Sequence, residues 1–149
     1  MQHCRKCPNA VAQIHGGIEA PQLSGCVQFY QESGCVLIEA RITGLPAENE
    51  TGFFGFHIHQ GASCFGLDFS GTESHYNPAE QTHPKHAGDL PPLLQCRGNA
   101  YLSFRTDRFF VNDIIGLTVV IHSGLDDFHS QPAGNAGKKI ACGVICRGW

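Results

Sequence analysis

The chain has 149 residues, which at about 150 residues per domain allows a single domain over 1–149 and no second one. Hydrophobic residues make up 42% and charged residues 15%, a balance that excludes a disordered chain. Ten Lys+Arg against 13 Asp+Glu leave a formal charge of -3, so no basic field exists to hold nucleic acid or an anionic membrane, and a small-molecule partner is expected.

In chain order, the start MQHCRKCPNAVAQIHGG has no apolar stretch long enough for a signal-peptide core. The cytoplasm is therefore the expected location; a trimmed leader would make the protein secreted or periplasmic instead. Cys4 and Cys7 have the CxxC spacing of a redox pair or half a zinc site, against the alternative of an inert end. Strands are expected near Val11–Gly16, Gly25–Gln31 and Cys35–Ile42, the last two joined by a turn at Glu32-Ser33-Gly34. Val27 and Phe29, then Val36 and Ile38, alternate with polar positions, so the hairpin has one dry face and Cys26 and Cys35 lie on the other. Further strands follow near Phe53–Gln60, Asn99–Phe104, Leu117–Ser123 and Lys139–Cys146. Cys96, in a turn, and Cys146, after the last strand, read as surface thiols, and Cys146 is a possible partner for Cys4 or Cys7. The densest apolar run, Ile114 to Ile121, is too short to cross a bilayer. Many short strands and no sustained helical period favour an antiparallel sandwich or barrel. Two polar stretches, Gly61 to Pro92 and Asp126 to Lys138, are too long to be mere connections.

Nine histidines raise the expectation of a metal site, and they cluster. His57 and His59 sit two apart on an expected strand, so both rings point to one face. The following loop holds His75, His83, His86 and Asp89 within fifteen residues, a nitrogen and carboxylate set suited to zinc. His122 ends the strand TVVIH, and Asp126-Asp127 follows closely, where a carboxylate could orient a ligating imidazole.

The strings GFHIHQ, SHYNPAEQTH, HAGDLP, TVVIH, DD and GNAGKKIACGVI, in this order, resemble the copper/zinc superoxide dismutases, and HAGDLP with the short second loop is similar to the bacterial branch. The resemblance implies an all-β fold: an eight-stranded antiparallel Greek-key β-barrel with two long functional loops. It implies copper held by His57, His59, His75 and His122, and zinc held by His75, His83, His86 and Asp89, with His75 shared as an imidazolate. Asp126 would link His57 to His83, and Cys64 would pair with Cys142. The implied activity is disproportionation of superoxide to dioxygen and hydrogen peroxide, with His75 and Lys139 as catalytic residues. Copper would cycle by one electron, which zinc cannot do. A homodimer is a possible assembly.

The chain departs from the family at two places. Only Pro84 and Lys85 separate His83 from His86, where most members have a longer gap, so His86 is the least typical ligand. Lys139 stands where the family usually has Arg, which should weaken anion docking, with Lys138 as a partial compensation. Asp127 and His129 are expected to face solvent. The rival reading is a non-catalytic copper/zinc-binding protein, a store or chaperone. The presence of all four copper donors favours the enzyme.

Overall fold

In the computed structural model, residues 6–148 are described. The long strands are β1 (Ala10–Gly16), β2 (Ser24–Gln31), β3 (Val36–Thr43), β7 (Ala100–Thr106), β8 (Thr118–His122) and β9 (Lys139–Arg147). Shorter ones are β4 (Phe53–Phe54), β5 (Phe56–His59) and β6 (Leu93–Leu94). Helix is confined to a 3-10 turn at Ser70–Thr72 and to α1 (Val111–Ile114). The main sheet is antiparallel with the order β5-β8-β9-β1-β2-β3-β7, and β4 pairs with β6.

One expected strand, Phe53–Gln60, is interrupted at Gly55, whose N–H turns away to the carbonyl of Gly124. A Cβ there would meet the Ala136 methyl at 2.8 Å and His122 Cβ at 3.2 Å, so only glycine lets the second loop close over this strand. Counted as one kinked strand, β4–β5 brings the number to eight, and β6 lies beside β7 through the Cys96–Asn99 bridge. The sheet thereby curls into the Greek-key barrel that the resemblance implied. β6 escaped the sequence reading because a two-residue strand after Pro91-Pro92 carries no period to detect. Cys146, at the end of the expected last strand, lies inside β9 opposite Val11, since β9 runs on to Arg147.

The period-2 reading of the hairpin holds: Val27, Phe29, Val36 and Ile38 have no exposed surface. They pack with Ile14, Phe54, Phe56, Ile58, Val119, Ile121 and Ile145 in one core. The same alternation sends His57, His59, Val120, His122 and Cys142 to the outer face of β5, β8 and β9, where Val120 faces His57 on one side and Cys142 on the other. That face is nevertheless buried, because loops cover it. Cys142 is disulfide-bonded to Cys64, 78 residues earlier, which fastens the first loop to β9. In chain-entropy terms such a closure contributes on the order of 4 kcal/mol. Of the remaining cysteines, Cys7, Cys96 and Cys146 are exposed free thiols, whereas Cys26 and Cys35 are half-buried rather than fully at the surface. Cys4 lies outside the described residues.

Phe29→Ala should remove about 3–5 kcal/mol from the urea unfolding free energy by opening a core cavity. Gln13→Ala, on the exposed face of β1, should stay within about 0.5 kcal/mol.

Candidate metal centre

The first loop is sewn to β5 by main-chain bonds. The Ile58 N–H donates to Gly88 O at 2.9 Å, the Tyr76 N–H to Ile58 O at 2.8 Å, and the Gln60 N–H to Ser74 O at 2.9 Å. A side chain at Gly88 would collide with the Ile58 carbonyl, so glycine is required at this close approach. The result sets His75 opposite His59 and Asp89 opposite His57. β8 then delivers His122 from the neighbouring strand.

Two groups of four donors result. His57, His59, His75 and His122 form one, and His75, His83, His86 and Asp89 the other, with the donor atoms of each group within 4.8 Å of one another. Every histidine expected as a ligand is therefore brought together, His86 included. The second nitrogen of four of these rings is committed outward. His57 Nε2–H donates to Asp126 Oδ2 at 2.8 Å and His83 Nε2–H to Asp126 Oδ1 at 2.7 Å. His59 Nδ1–H donates to Glu73 O at 2.8 Å, and His122 Nδ1–H to Gly137 O at 3.2 Å. These acceptors fix the tautomers, so the inward nitrogens are bare lone pairs.

The lone pairs face one another. His59 Nε2 lies 3.2 Å from His122 Nε2, whereas in the second group His75 Nδ1–H donates to Asp89 Oδ1 at 2.8 Å and lies 3.3 Å from His86 Nδ1. His83 Nδ1 is 3.0 Å from Asp89 Oδ2 without hydrogen-bonding to it, and His57 Nδ1 and His75 Nε2 are likewise buried with no partner. Acceptors converging on acceptors in a dry interior repel unless a cation lies among them, so the donor set fits metal ions. Burial also favours the neutral form, the one a metal needs, in four of the rings: it lowers His59 to about 2 and His122 to about 3, and lowers His57 and His86 as well.

Asp126 is almost completely buried and is the joint between the groups. Burial alone would raise its carboxyl, but bonds from His57, the Phe128 N–H and His83 outweigh that and hold it far below the usual carboxylate range. Gly134, at φ 72°, packs against this joint; a Cβ there would collide with Asp126 Oδ1 and lie 2.6 Å from His83 Nε2. Its place in the GNAG string was visible in the sequence, but its purpose was not. Gln131 was also missed. Its side chain both accepts from the His83 N–H at 2.9 Å and donates to His83 O at 2.8 Å, latching the second loop to the first.

Asp127 does not simply face solvent: it accepts from the His129 and Ser130 N–H groups and the Ser130 hydroxyl, which shapes the loop and lowers its pKa to about 2. His129 is 81% exposed, as expected. Lys138 is not a spare charge near the histidines, because its ammonium pairs with Glu19 at 2.8 Å. Lys139 points the other way, donating to Thr72 Oγ1 and Glu73 O, both at 2.8 Å. The Glu73 carbonyl thus receives both Lys139 and the ligand-group ring of His59, and Glu73 reaches this pose at φ 59°.

The family model described as copper/zinc superoxide dismutase matches residues 23–145. The chain belongs to this family. Among its relatives, a copper/zinc superoxide dismutase from Aquifex aeolicus is 35% identical over 81% of this chain and 79% of its own length. One from Botryotinia fuckeliana is 37% identical over 91% of this chain and 96% of its own. A crystal structure of a double mutant of a SOD-like protein from Bacillus subtilis shares the fold, with a TM-score of 0.78 over 94% of this chain and 98% of that one, at 24% identity. The chain is all-β apart from two short helical turns, and no helix among the described residues is long and apolar enough to cross a membrane.

Asp126→Asn should weaken metal binding by roughly 10–100-fold, and the group containing His83 should lose its ion first. Chelator competition measures this. Glu48→Gln, at an exposed position, is the control, since Asp127 organises its own loop.

Proposed function

We propose that the chain is a copper/zinc superoxide dismutase, converting two superoxide anions and two protons into dioxygen and hydrogen peroxide. The carrying observation is the pair of four-donor clusters that share His75. Four imidazoles suit copper, so His57, His59, His75 and His122 are assigned to it; three imidazoles with Asp89 suit zinc. Bound copper would supply one-electron exchange with superoxide, while zinc, with no redox change, would supply charge and rigidity. His75 serves both groups, Nε2 toward the copper donors and Nδ1 toward the zinc donors. Its Nδ1, 2.8 Å from Asp89 Oδ1 and tied to the zinc side, keeps the ring in place while Nε2 takes up a proton and returns it between two superoxide encounters. Asp126 holds His57 and His83 in their tautomers throughout. Lys139 supplies the positive charge that draws the anion in, which a protein of net negative charge needs locally.

The test is metal analysis with a superoxide-decay assay on copper- and zinc-loaded protein. About one ion of each kind per chain and rapid decay are expected. Full loading with decay no faster than that of metal-free protein would replace this reading with the storage or chaperone one.

Lys139 generates a second expectation. Lys139→Gln keeps a donor for the Glu73 carbonyl but removes the charge, so the rate should fall and its salt dependence flatten, since exposed charges are screened beyond about 10 Å at 0.1 M salt. Lys139→Glu should reverse the salt dependence, and Lys139→Arg should raise the rate through its planar fork. Partial burial lowers the Lys139 pKa, so steering is complete at neutral pH and is lost as pH rises, beginning below the ordinary lysine range. Rates across ionic strength and pH decide it; identical profiles for all four proteins would remove Lys139 from the mechanism.

A further inference from the structure

The segment from His83 to Asp89 supplies three donors of the second group and has only two residues between its histidines. So short a link must turn tightly for both rings to aim inward. The His86 N–H donates to Asp89 Oδ2 at 2.9 Å, the Asp89 N–H to His86 O at 3.1 Å, and the Lys85 N–H to Thr82 O at 2.8 Å. The turn brings the Pro84 and His86 carbonyls to a common point on its outer side, where their dipoles repel. Arg108 occupies that point. Its Nη1 donates to Pro84 O at 2.9 Å and to His86 O at 3.0 Å, with Asp89 O at 3.5 Å. The root of Arg108 is itself anchored, its N–H donating to Thr106 Oγ1 at 3.2 Å and the next residue, Phe109, lying in the core.

We propose that Arg108 is a positioning residue for the zinc group: it gathers the carbonyls of the His83–Asp89 turn and thereby sets the aim of His86 and Asp89. The inference rests on the assignment of zinc to His75, His83, His86 and Asp89. It accounts for how the shortened link between the histidines still presents both rings. Charge and geometry predict opposite signs here. A guanidinium beside a cation site disfavours the cation, so losing its charge alone would tighten zinc binding. Losing the clamp would loosen it.

The experiment measures zinc affinity by competition with a chromogenic chelator in full-length wild type, Arg108→Ala and Arg108→Lys, together with the visible spectrum after cobalt is placed in the zinc group. Copper affinity and the unfolding temperature of the metal-free proteins are recorded in parallel. Arg105→Ala is the control for loss of a neighbouring surface arginine, since Arg105 pairs with Glu32 on the barrel wall. Arg108→Ala should weaken zinc by about 10–100-fold and lower the intensity of the tetrahedral cobalt bands, leaving copper affinity unchanged. Arg108→Lys, which keeps a cationic donor, should recover part of both. Zinc bound equally or more tightly by Arg108→Ala overturns the proposal. So does an equal loss at both metal groups accompanied by a matching fall in metal-free stability, which would mark a general structural role. A wild-type protein that binds no zinc in this group would overturn the underlying assignment, an outcome separate from an unchanged Arg108→Ala.

Discussion

Bare ring nitrogens converge in a dry interior, and the rest of the molecule is organised around holding them there. Each imidazole has two nitrogens, and a lone pair can be aimed inward reliably only if the N–H on the other side has a fixed acceptor. Asp126 fills that role for His57 and His83, and the carbonyls of Glu73 and Gly137 fill it for His59 and His122. Because the acceptors come from the two loops while His57, His59 and His122 stand on strands, neither part alone defines the tautomers. The centre exists only where loop and barrel are docked.

That docking explains why the outer face of β5, β8 and β9 is buried although its residues point away from the core. Main-chain bonds from Ile58, Gln60 and Tyr76 make the first loop almost an extra layer of sheet, and the Cys64–Cys142 bond fastens its far side. The second loop then rests on the first through the Gln131 amide and on the joint at Gly134, where nothing larger than hydrogen fits. Stability and function are coupled here, since the desolvation that suppresses imidazole protonation is produced by the same packing that costs each loop its freedom.

Much of this was legible in the chain. Alternating Val27, Phe29, Val36 and Ile38 announced the dry face of the sheet, and His57-x-His59 placed two donors on one face through strand geometry alone. The cluster from His75 to Asp89 was visible as a composition of donors in a loop. What escaped were features without a side-chain signature. Backbone carbonyls at Glu73 and Gly137 cannot be seen as acceptors in a string of letters, and β6 is too short to have a period. Gln131 and Arg108 carry no signal in the sequence, because what they grip is main chain far away along it. Lys138 misled for a related reason: a neighbouring lysine looks like a spare charge until Glu19 is found beside it.

The Glu73 carbonyl has a further consequence. One oxygen serves both the ring that faces the inner cluster and the half-buried ammonium of Lys139. Because it belongs to the main chain, exchanging the side chain at position 73 does not delete it; what places it is the path of the loop, including the left-handed turn at Glu73 itself, a conformation costly for any residue but glycine. Replacing the side chain at 139 therefore leaves the acceptor of His59 in place. An insertion or deletion in the loop is different: by moving that carbonyl it would displace the Lys139 ammonium and the His59 ring together.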